Sequence, residues 1–187
     1  MAEGVKHFYD RLASNYHLIF EDWDASMKRQ AAALGAILER ECGAPKALRV
    51  LDCACGIGTQ TLGLASLGFT VTACDLSPAS VERTRVEAAK RHLNVQLFVA
   101  DMLDLTKIPD RDFDAVMCMD NALPHLESDE QLFQAATQIR RKLRVDLYGQ
   151  HQRLRQFGSG KASRAGTRFL FRPRESTHRS SSVGLER

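Results

Sequence analysis

One stretch constrains the fold of this chain more than any other, Ala47–Thr59, with the sequence ALRVLDCACGIGT. Its short apolar run ends in Asp52, a turn containing Gly56 and Gly58 follows, and a helix-like segment begins at Thr59. A buried strand that leads into a glycine turn and a helix is the nucleotide-binding half-unit of an open α/β sheet. Glycine lets the backbone turn sharply and approach a ligand closely, and the following helix offers free N–H groups there.

The segments around this stretch alternate between strand and helix patterns. Residues 3–22 are expected to form a broken helical segment with one aromatic face. Further strands are predicted at Phe69–Cys74, Val95–Val99 and Phe113–Met119, and helices at Ala25–Cys42, Thr59–Leu67, Val81–His92 and from the cap Ser128 to about Leu143. Strands that alternate with helices predict an α/β fold with a doubly wound, mostly parallel sheet.

Each of the four predicted strands ends in an acidic residue: Asp52, Asp75, Asp101 and Asp120. The carboxyl ends of parallel strands meet at one edge of a sheet, where ligands bind, and Asp75 could accept both hydroxyls of a ribose there. A dinucleotide is disfavoured because position 61 is threonine rather than a third glycine, and because Asp52 would repel a pyrophosphate. A nucleoside with a cationic amino-acid end, such as S-adenosylmethionine, suits this turn better.

Five motifs together resemble a known family. They are DCACGIGT at 52–59, Asp75, ADM at 100–102, DNALPHL at 120–126 and, near the N-terminus, FYDRLASNY at 8–16. They resemble the class I S-adenosylmethionine-dependent methyltransferases, and within these the glycine/sarcosine N-methyltransferase-like group is the most similar. The resemblance covers roughly residues 5–144. It implies a Rossmann-like methyltransferase fold with an N-terminal helical lid.

The resemblance also implies roles for the residues around the glycine turn. Ala54, Gly56 and Gly58 would lie against the methionine part and the ribose of S-adenosylmethionine. Asp52 would balance the ammonium group of the cofactor. Asp75 would hold the ribose hydroxyls.

Further along the chain, the resemblance implies contacts with the rest of the cofactor. Asp101 would accept a hydrogen bond from the adenine amino group, and Met102 would pack on the adenine ring. Met119 would line the cofactor near the sulfonium. Tyr9 and Tyr16 would close over it, because an electron-rich ring near a sulfonium is electrostatically favourable.

The catalytic residues are left open, with Asn121 and His125 as candidates. His125 would lie by the methionine end or by the acceptor, and the alternative is a histidine bonded to backbone at the start of a helix. Trp23 and Arg29 are possible substrate-side residues, although a packing tryptophan and a solvated arginine are the favoured interpretations.

A small amine is the acceptor that the subgroup resemblance implies. The lone pair of a neutral amine would attack the methyl carbon in line as the thioether leaves. The enzyme's main task would then be alignment and exclusion of water, and a strong general base is not needed if the amine arrives deprotonated.

Composition limits the remaining function classes. A chain of 187 residues that is 44% hydrophobic can bury one core. The five cysteines include no C-x-x-C pair and are expected to be buried thiols of a reducing compartment, with a metal site at Cys53-x-Cys55 as a weak alternative. No signal core or membrane-length run is visible, so we expect a cytoplasmic protein with no membrane partner. The cysteine pattern leads us to expect no metal, and the family resemblance implies a small-molecule acceptor.

The charge of the chain is divided unevenly. Residues 1–140 contain 14 lysines and arginines against 20 acidic residues, whereas residues 141–187 contain 12 against three. After Leu143 the family pattern of a turn and a fifth strand is missing, and the only strand-like run is Thr167–Phe171. We therefore expect the sheet to be incomplete after its fourth strand, with the edge of that strand unpaired.

Three regions follow from these patterns: an N-terminal helical lid at 1–46, a truncated cofactor-binding core at 47–144, and a basic tail at 145–187. The tail is expected to be disordered or out of frame, and the alternative is a basic arm that binds RNA or membrane. Three functions stay open. They are a methyltransferase of small amines, an inactive remnant that binds only the cofactor, and a nucleic-acid-binding protein.

Overall fold

The protein is built from five helices and six strands within the residues that can be described. The computed structural model describes residues 2–43 and 48–144, together with the backbone of residues 153–157 and 168–172. The helices are α1 (Ala2–Leu12), α2 (Trp23–Cys42), α3 (Thr59–Ser66), α4 (Pro78–Lys90) and α5 (Asp129–Lys142), with short 3-10 helices at Tyr16–Ile19 and Leu123–His125. The strands are β1 (Arg49–Asp52), β2 (Thr70–Asp75), β3 (Gln96–Val99), β4 (Ala115–Cys118), β5 (Arg153–Phe157) and β6 (Arg168–Arg172).

The sheet has the strand order β3-β2-β1-β4-β6-β5. The pairs β3–β2, β2–β1 and β1–β4 are all parallel, so the first four strands end at the same edge. The predicted α/β fold with a parallel four-stranded sheet is therefore confirmed. Because β2 and β3 lie to one side of β1 and β4 to the other, the chain reverses direction across the sheet at β1, next to the glycine turn.

Both faces of the sheet are buried, which explains why β4 is continuously apolar and why β1 has two adjacent apolar residues. Val50 packs in one cluster with Leu38 of α2 and Leu64 of α3. Its neighbour Leu51 packs in a second cluster on the opposite face with Ile139 of α5. Successive side chains of a strand point to opposite faces, so two adjacent apolar residues in β1 serve two helix layers.

Local signals fix where the helices begin. The Ser77 hydroxyl accepts a hydrogen bond from Ser80 N (3.1 Å) at the start of α4, and Pro78 occupies the first position. Ser128 caps α5 in the same way by accepting from Gln131 N. Both predicted caps are confirmed, and the elements lie within a few residues of their predicted positions.

The expectation that the edge of β4 is unpaired is wrong. In β4, Val116, Met117 and Cys118 pair with β6 in antiparallel orientation, and β5 pairs with the outer side of β6. An open edge presents unpaired N–H and C=O groups, and β6 satisfies them. An antiparallel strand needs no crossover helix, so the family turn that is missing after Leu143 does not prevent this pairing.

The strand β6 coincides with the strand-like run that the sequence contains at 167–171. The rest of the predicted tail, residues 145–152, 158–167 and 173–187, lies outside the described residues, as do residues 1 and 44–47. The division into a lid at 1–46, a core at 47–144 and a tail at 145–187 stays a prediction.

Candidate active site

A cleft opens at the carboxyl ends of the parallel strands and is covered by the N-terminal segment. It contains about 930 Å³ of empty space, part of it open to solvent. Ten of the twelve residues that the sequence predicts for the site line this cleft. From the N-terminal segment and the region after β4 come Tyr9, Tyr16, Met119, Asn121 and His125. From the segments after β1, β2 and β3 come Ala54, Gly56, Asp75, Asp101 and Met102.

The two glycines of the turn after β1 have different tasks. Gly56 has a φ of +54°, and a Cβ added there would meet nothing within 4 Å. Gly58 has a φ of +92°, and a Cβ there would lie 2.8 Å from Thr84 Cγ2 and 3.0 Å from Leu62 Cδ1. Gly56 thus supplies a left-handed bend beside the cleft, whereas Gly58, which does not line it, lets α3 begin in contact with α4.

Asp75, at the end of β2, is held in the cleft by backbone N–H groups. Its two carboxylate oxygens accept from Gly56 N (2.8 Å) and Ser77 N (2.9 Å), one each. Burial raises its pKa above the ordinary value, although these two hydrogen bonds oppose the shift. Each oxygen keeps a second lone pair, so the carboxylate can accept two further donors such as the hydroxyls of a ribose.

Asp52, by contrast, lies beneath the turn and does not line the cleft. It is fully buried, and its carboxylate accepts from the Thr61 hydroxyl (2.7 Å) and from Ala54 N (3.4 Å). Burial raises its pKa to about 7. Its observed contacts connect β1 to the glycine turn and to α3, and a direct contact between Asp52 and an ammonium group stays a prediction.

Asp101 and Met102 mark the β3 end of the cleft. Asp101 Oδ1 accepts from Leu103 N (2.9 Å), which fixes the carboxylate in the turn after β3. Met102 is partly buried and packs against the apolar cluster on the α5 face of the sheet. This end of the cleft therefore combines an acceptor with a flexible apolar side chain, a combination suited to a purine base.

The N-terminal segment brings two tyrosines over the cleft, Tyr9 from α1 and Tyr16 from the 3-10 helix that follows. Tyr9 Oη lies 2.9 Å from His125 Nε2, and the two rings meet edge to face with their centroids 5.6 Å apart. Tyr16 lies beside Tyr9, with 6.2 Å between the ring centroids. Burial raises the pKa of both tyrosines, and the nearby Asp75 and Asp120 add to the shift. Both phenols therefore stay protonated at neutral pH.

Asp10 positions the N-terminal helix, and sequence reasoning missed it. Its Oδ1 accepts from the Ser77 hydroxyl (2.6 Å) and from Ala79 N (3.2 Å), at the start of α4. Its Oδ2 accepts from Lys6 Nζ (3.0 Å). The Ser77 hydrogen bond lowers the pKa of this carboxyl. The only available signal was the Lys6–Asp10 spacing of four residues, which indicates a helix but not a partner in α4.

A second missed group lies at the β4 end of the cleft. Gln60 is buried in the first turn of α3, and Asp120 follows β4 with a φ of +56°; both line the cleft. Gln60 Nε2 donates to Asp120 Oδ2 (2.9 Å) and to Gln30 Oε1 (2.8 Å). The acidic end of the fourth strand was visible in the sequence, but no local pattern connects it to a glutamine 60 residues earlier.

The described part of the chain shows no group of three or more His, Cys, Asp or Glu side chains that could hold a metal ion. All five cysteines are free thiols. Burial raises the pKa of the Cys55 and Cys74 thiols well above the ordinary value, so they stay protonated.

Neither of the two possible substrate-side residues lines the cleft. Trp23 Nε1 donates to the Thr59 hydroxyl (2.8 Å), and the Arg91 guanidinium lies 5.3 Å from the centroid of its ring. Arg29 is an exposed residue of α2. A packing tryptophan and a solvated arginine are the interpretations that these positions support.

Comparison with known proteins identifies relatives of this chain. The family model "Methyltransferase domain" matches residues 50–146. The chain is 34% identical, over 95 residues, to the ubiquinone biosynthesis O-methyltransferase of Xanthomonas axonopodis pv. citri (strain 306), a match that covers 51% of this chain and 39% of that protein. The aligned part thus spans about two fifths of the length of that relative.

Solved structures with the same fold bind related ligands. Magnesium protoporphyrin IX methyltransferase from Synechocystis PCC 6803, with bound S-adenosylmethionine, superposes with a TM-score of 0.69 at 15% identity, covering 91% of this chain and 95% of that one. A Streptococcus mutans protein in complex with S-adenosylhomocysteine superposes with a TM-score of 0.58 at 16% identity, covering 78% and 98%. At these identities the likeness shows a shared fold. Among the described residues, no helix is long and apolar enough to cross a membrane.

Proposed function

The chain belongs to the methyltransferase domain family, whose members use S-adenosylmethionine as methyl donor, and we propose that it transfers a methyl group to a small molecule. The observation that carries this proposal is the Asp75 carboxylate. It is fixed in the cleft by Gly56 N and Ser77 N, and each of its oxygens can still accept a hydroxyl.

The residues of the cleft would hold the donor in one orientation. Asp75 would accept from the ribose hydroxyls, Asp101 would accept from the adenine amino group, and Met102 would pack on the adenine. Tyr9 and Tyr16 would cover the sulfonium and exclude water. The methyl carbon bonded to a sulfonium is already activated, so these residues would act mainly by alignment.

The resemblance to the glycine/sarcosine group makes a small amine one candidate acceptor. The described lining of the cleft contains a single permanently charged cation, Lys6, and this cation is paired with Asp10. An amino acid needs a partner for its carboxylate, and an arginine fork would supply the strongest one. The described lining includes no arginine.

The relative named for ubiquinone biosynthesis supports a second candidate, a hydroxyl acceptor. A phenol must lose its proton as its oxygen attacks, so O-methylation profits from a base at the acceptor. His125 lies in the cleft, and Tyr9 is within hydrogen-bond distance of its Nε2, which would hold the imidazole in place. Asn121, which also lines the cleft, remains a candidate for orienting the acceptor.

Calorimetric titration tests the donor site. Wild-type chain should bind S-adenosylmethionine and S-adenosylhomocysteine, and Asp75→Asn should weaken both by about 10- to 100-fold, the effect of losing charge-assisted hydrogen bonds. Asp112→Asn, at an exposed aspartate outside the cleft, is the matched control and should change neither affinity. Equal affinity for NAD, or no effect of Asp75→Asn, would refute the proposal.

A methyl-transfer assay separates the acceptors. Wild-type chain and S-adenosylmethionine would be incubated with glycine, sarcosine or catechol, and the formation of S-adenosylhomocysteine followed. Turnover of catechol that falls at least tenfold in His125→Ala would support the hydroxyl acceptor. Turnover of glycine or sarcosine would support the amine. Donor binding without turnover of any tested acceptor would agree with the inactive remnant.

A further inference from the structure

The amide of Gln60 is fixed so that only its oxygen can meet a ligand. Its Nε2 carries two hydrogens, and these are used by Asp120 Oδ2 and by Gln30 Oε1. A carboxylate only accepts hydrogen bonds, so the nitrogen, not the oxygen, must face Asp120. Gln30 is held in turn because its own Nε2 donates to the buried Ser26 hydroxyl (3.2 Å). Within the described residues nothing donates to Gln60 Oε1, although the side chain is only 3% exposed and lines the cleft.

Asp120, whose Oδ2 accepts from the nitrogen of the same amide, brings a carboxylate to this end of the cleft. Asp120 lines the cleft two residues after the end of β4. Its charge contributes to the raised pKa of both Tyr9 and Tyr16, which shows that its electrostatic field extends to the N-terminal segment. The amide oxygen and the carboxylate together form a pair of acceptors at one end of the cleft. Such a pair suits a compact cation with several N–H donors.

The order of the strands indicates which part of a ligand would lie next to Asp120 and Gln60. Along the sheet edge the strands follow the order β3-β2-β1-β4, and their ends carry Asp101, Asp75, the glycine turn and Asp120 in that sequence. The proposed function puts adenine at Asp101 and ribose at Asp75. A ligand that continues along this edge passes the glycine turn with its sulfur and brings its amino-acid end to Asp120. Asp52 is fully buried and does not line the cleft.

We propose that Asp120 and Gln60 form the binding site for the primary ammonium group of the methyl donor. The proposal rests on the proposed function, because the ammonium belongs to S-adenosylmethionine. The Asp120 carboxylate supplies the countercharge, and Gln60 Oε1 accepts a second ammonium hydrogen. Gln60 also holds the carboxylate in place, so the site is formed before the ligand enters.

The test compares two ligands that differ only in the ammonium group: S-adenosylhomocysteine and its analogue without the α-amino group. Their affinities are measured by calorimetry on the full chain, in wild type and in Asp120→Asn. Asparagine tolerates a positive φ and can still accept from Gln60, so this variant removes the charge with little change of structure. Asp112→Asn, an exposed aspartate with a φ of +62°, is the matched control for the same substitution at the same backbone conformation.

We expect Asp120→Asn to lower the affinity for S-adenosylhomocysteine about tenfold, because a charge-assisted hydrogen bond becomes a neutral one. The desamino analogue keeps its carboxylate, which Asp120 repels, so its affinity should stay the same or improve. Gln60→Met should also weaken only the ligand that carries the ammonium. Asp112→Asn should affect neither.

Three outcomes would overturn the inference. Equal weakening of both ligands by Asp120→Asn, together with a lowered melting temperature, would mean that Asp120 only supports the fold. No effect on either ligand would place the ammonium elsewhere. If the wild-type chain binds neither ligand, both the proposed function and this inference are refuted. If binding depends on Asp75 but not on Asp120, only this inference is refuted.

Discussion

Asp52 is a carboxyl group whose environment opposes its charge. It is fully buried, and the Thr61 hydroxyl and Ala54 N do not compensate for the loss of water, so its pKa rises to about 7 from an ordinary value of 3.8. Between these values the unfolded chain releases the proton while the folded chain keeps it. The stability that Asp52 contributes is therefore fully present below about pH 4 and is lost as the pH rises through about 7.

Replacement of Asp52 should change the pH dependence of folding. The free energy of unfolding of wild type should fall by up to about 4 kcal/mol between pH 4 and 8 through this residue, and Asp52→Asn should remove that part of the fall. Urea titrations at several pH values measure it, with Asp112→Asn as control. The pKa of Asp75 is raised too, so Asp75 adds its own fall in stability over the same pH range. The contribution of Asp52 is therefore the difference between the pH profiles of the free energy of unfolding of Asp52→Asn and wild type. A variant with the wild-type pH profile would show that Asp52 is ionised in the folded chain.

The glycines of the turn should differ in their tolerance of a side chain. Gly56→Ala adds only the cost of a left-handed conformation, about 1 kcal/mol, because its Cβ would meet no atom within 4 Å. Gly58→Ala adds contacts as short as 2.8 Å with Thr84 and should lose about 2–4 kcal/mol. Chemical denaturation of both variants measures this order. Equal losses would mean that α3 and α4 can move apart without cost.

At the scale of elements, the docking of α1 decides whether the cleft is covered. None of residues 3–12 of helix α1 is buried, and the helix is held by polar contacts, chiefly to Asp10 from the Ser77 hydroxyl and Ala79 N at the start of α4. A carboxylate at a helix N-terminus also interacts favourably with the helix dipole. Tyr9 adds the contact with His125 across the cleft. The N-terminal segment is thus attached on both sides of the cleft.

Removal of the Asp10 carboxylate should loosen this helix selectively. In Asp10→Ala, the amide hydrogens of α1 should exchange with solvent about tenfold faster, because about 1–2 kcal/mol of hydrogen bonding is lost locally. The melting temperature of the sheet should change little. Glu3→Ala is the matched control, since Glu3 is an exposed α1 carboxylate whose contact is to His7 of the same helix. Unchanged exchange in α1 would mean that the aromatic contacts alone hold it.

At the scale of the whole molecule, the sheet continues past the four parallel strands. The strand β6 lies between β4 and β5 and pairs with both, so its N–H groups take part in ladders on one side or the other. Without this pairing, β4 would be the open edge of a four-stranded sheet that is buried on both faces. The basic region beyond residue 144 therefore contributes to the fold through at least one segment, Arg168–Arg172.

Proline in β6 tests this contribution. Leu170 pairs with Met117 of β4 and with Arg155 of β5, and Leu170→Pro removes an N–H group from the ladder. We expect the melting temperature to fall by several degrees more than in Leu170→Ala, which keeps the N–H group. Association of the variant through the exposed edge should be visible in size-exclusion chromatography. Identical melting temperatures of the two variants would contradict the β4–β6 pairing and would support the disordered tail that the composition predicts.

Local signals in the sequence determined the helices, the four parallel strands and most of the cleft. The glycine turn, the serine caps and the acidic strand ends each depend on residues close together in the chain, so their geometry follows from short-range chemistry. The order of the strands then brought Asp75, Asp101 and Asp120 to one edge.

Tertiary structure alone decided the rest, because the partners lie far apart in sequence and no periodicity connects them. Asp10 meets Ser77, Gln60 meets Asp120, and β6 meets β4 only after the layers have packed. Packing also put Asp52 beneath the turn instead of in the cleft. Whether a carboxylate at a strand end faces a ligand or the core depends on the segments that cover it. The sequence of the strand alone does not determine this.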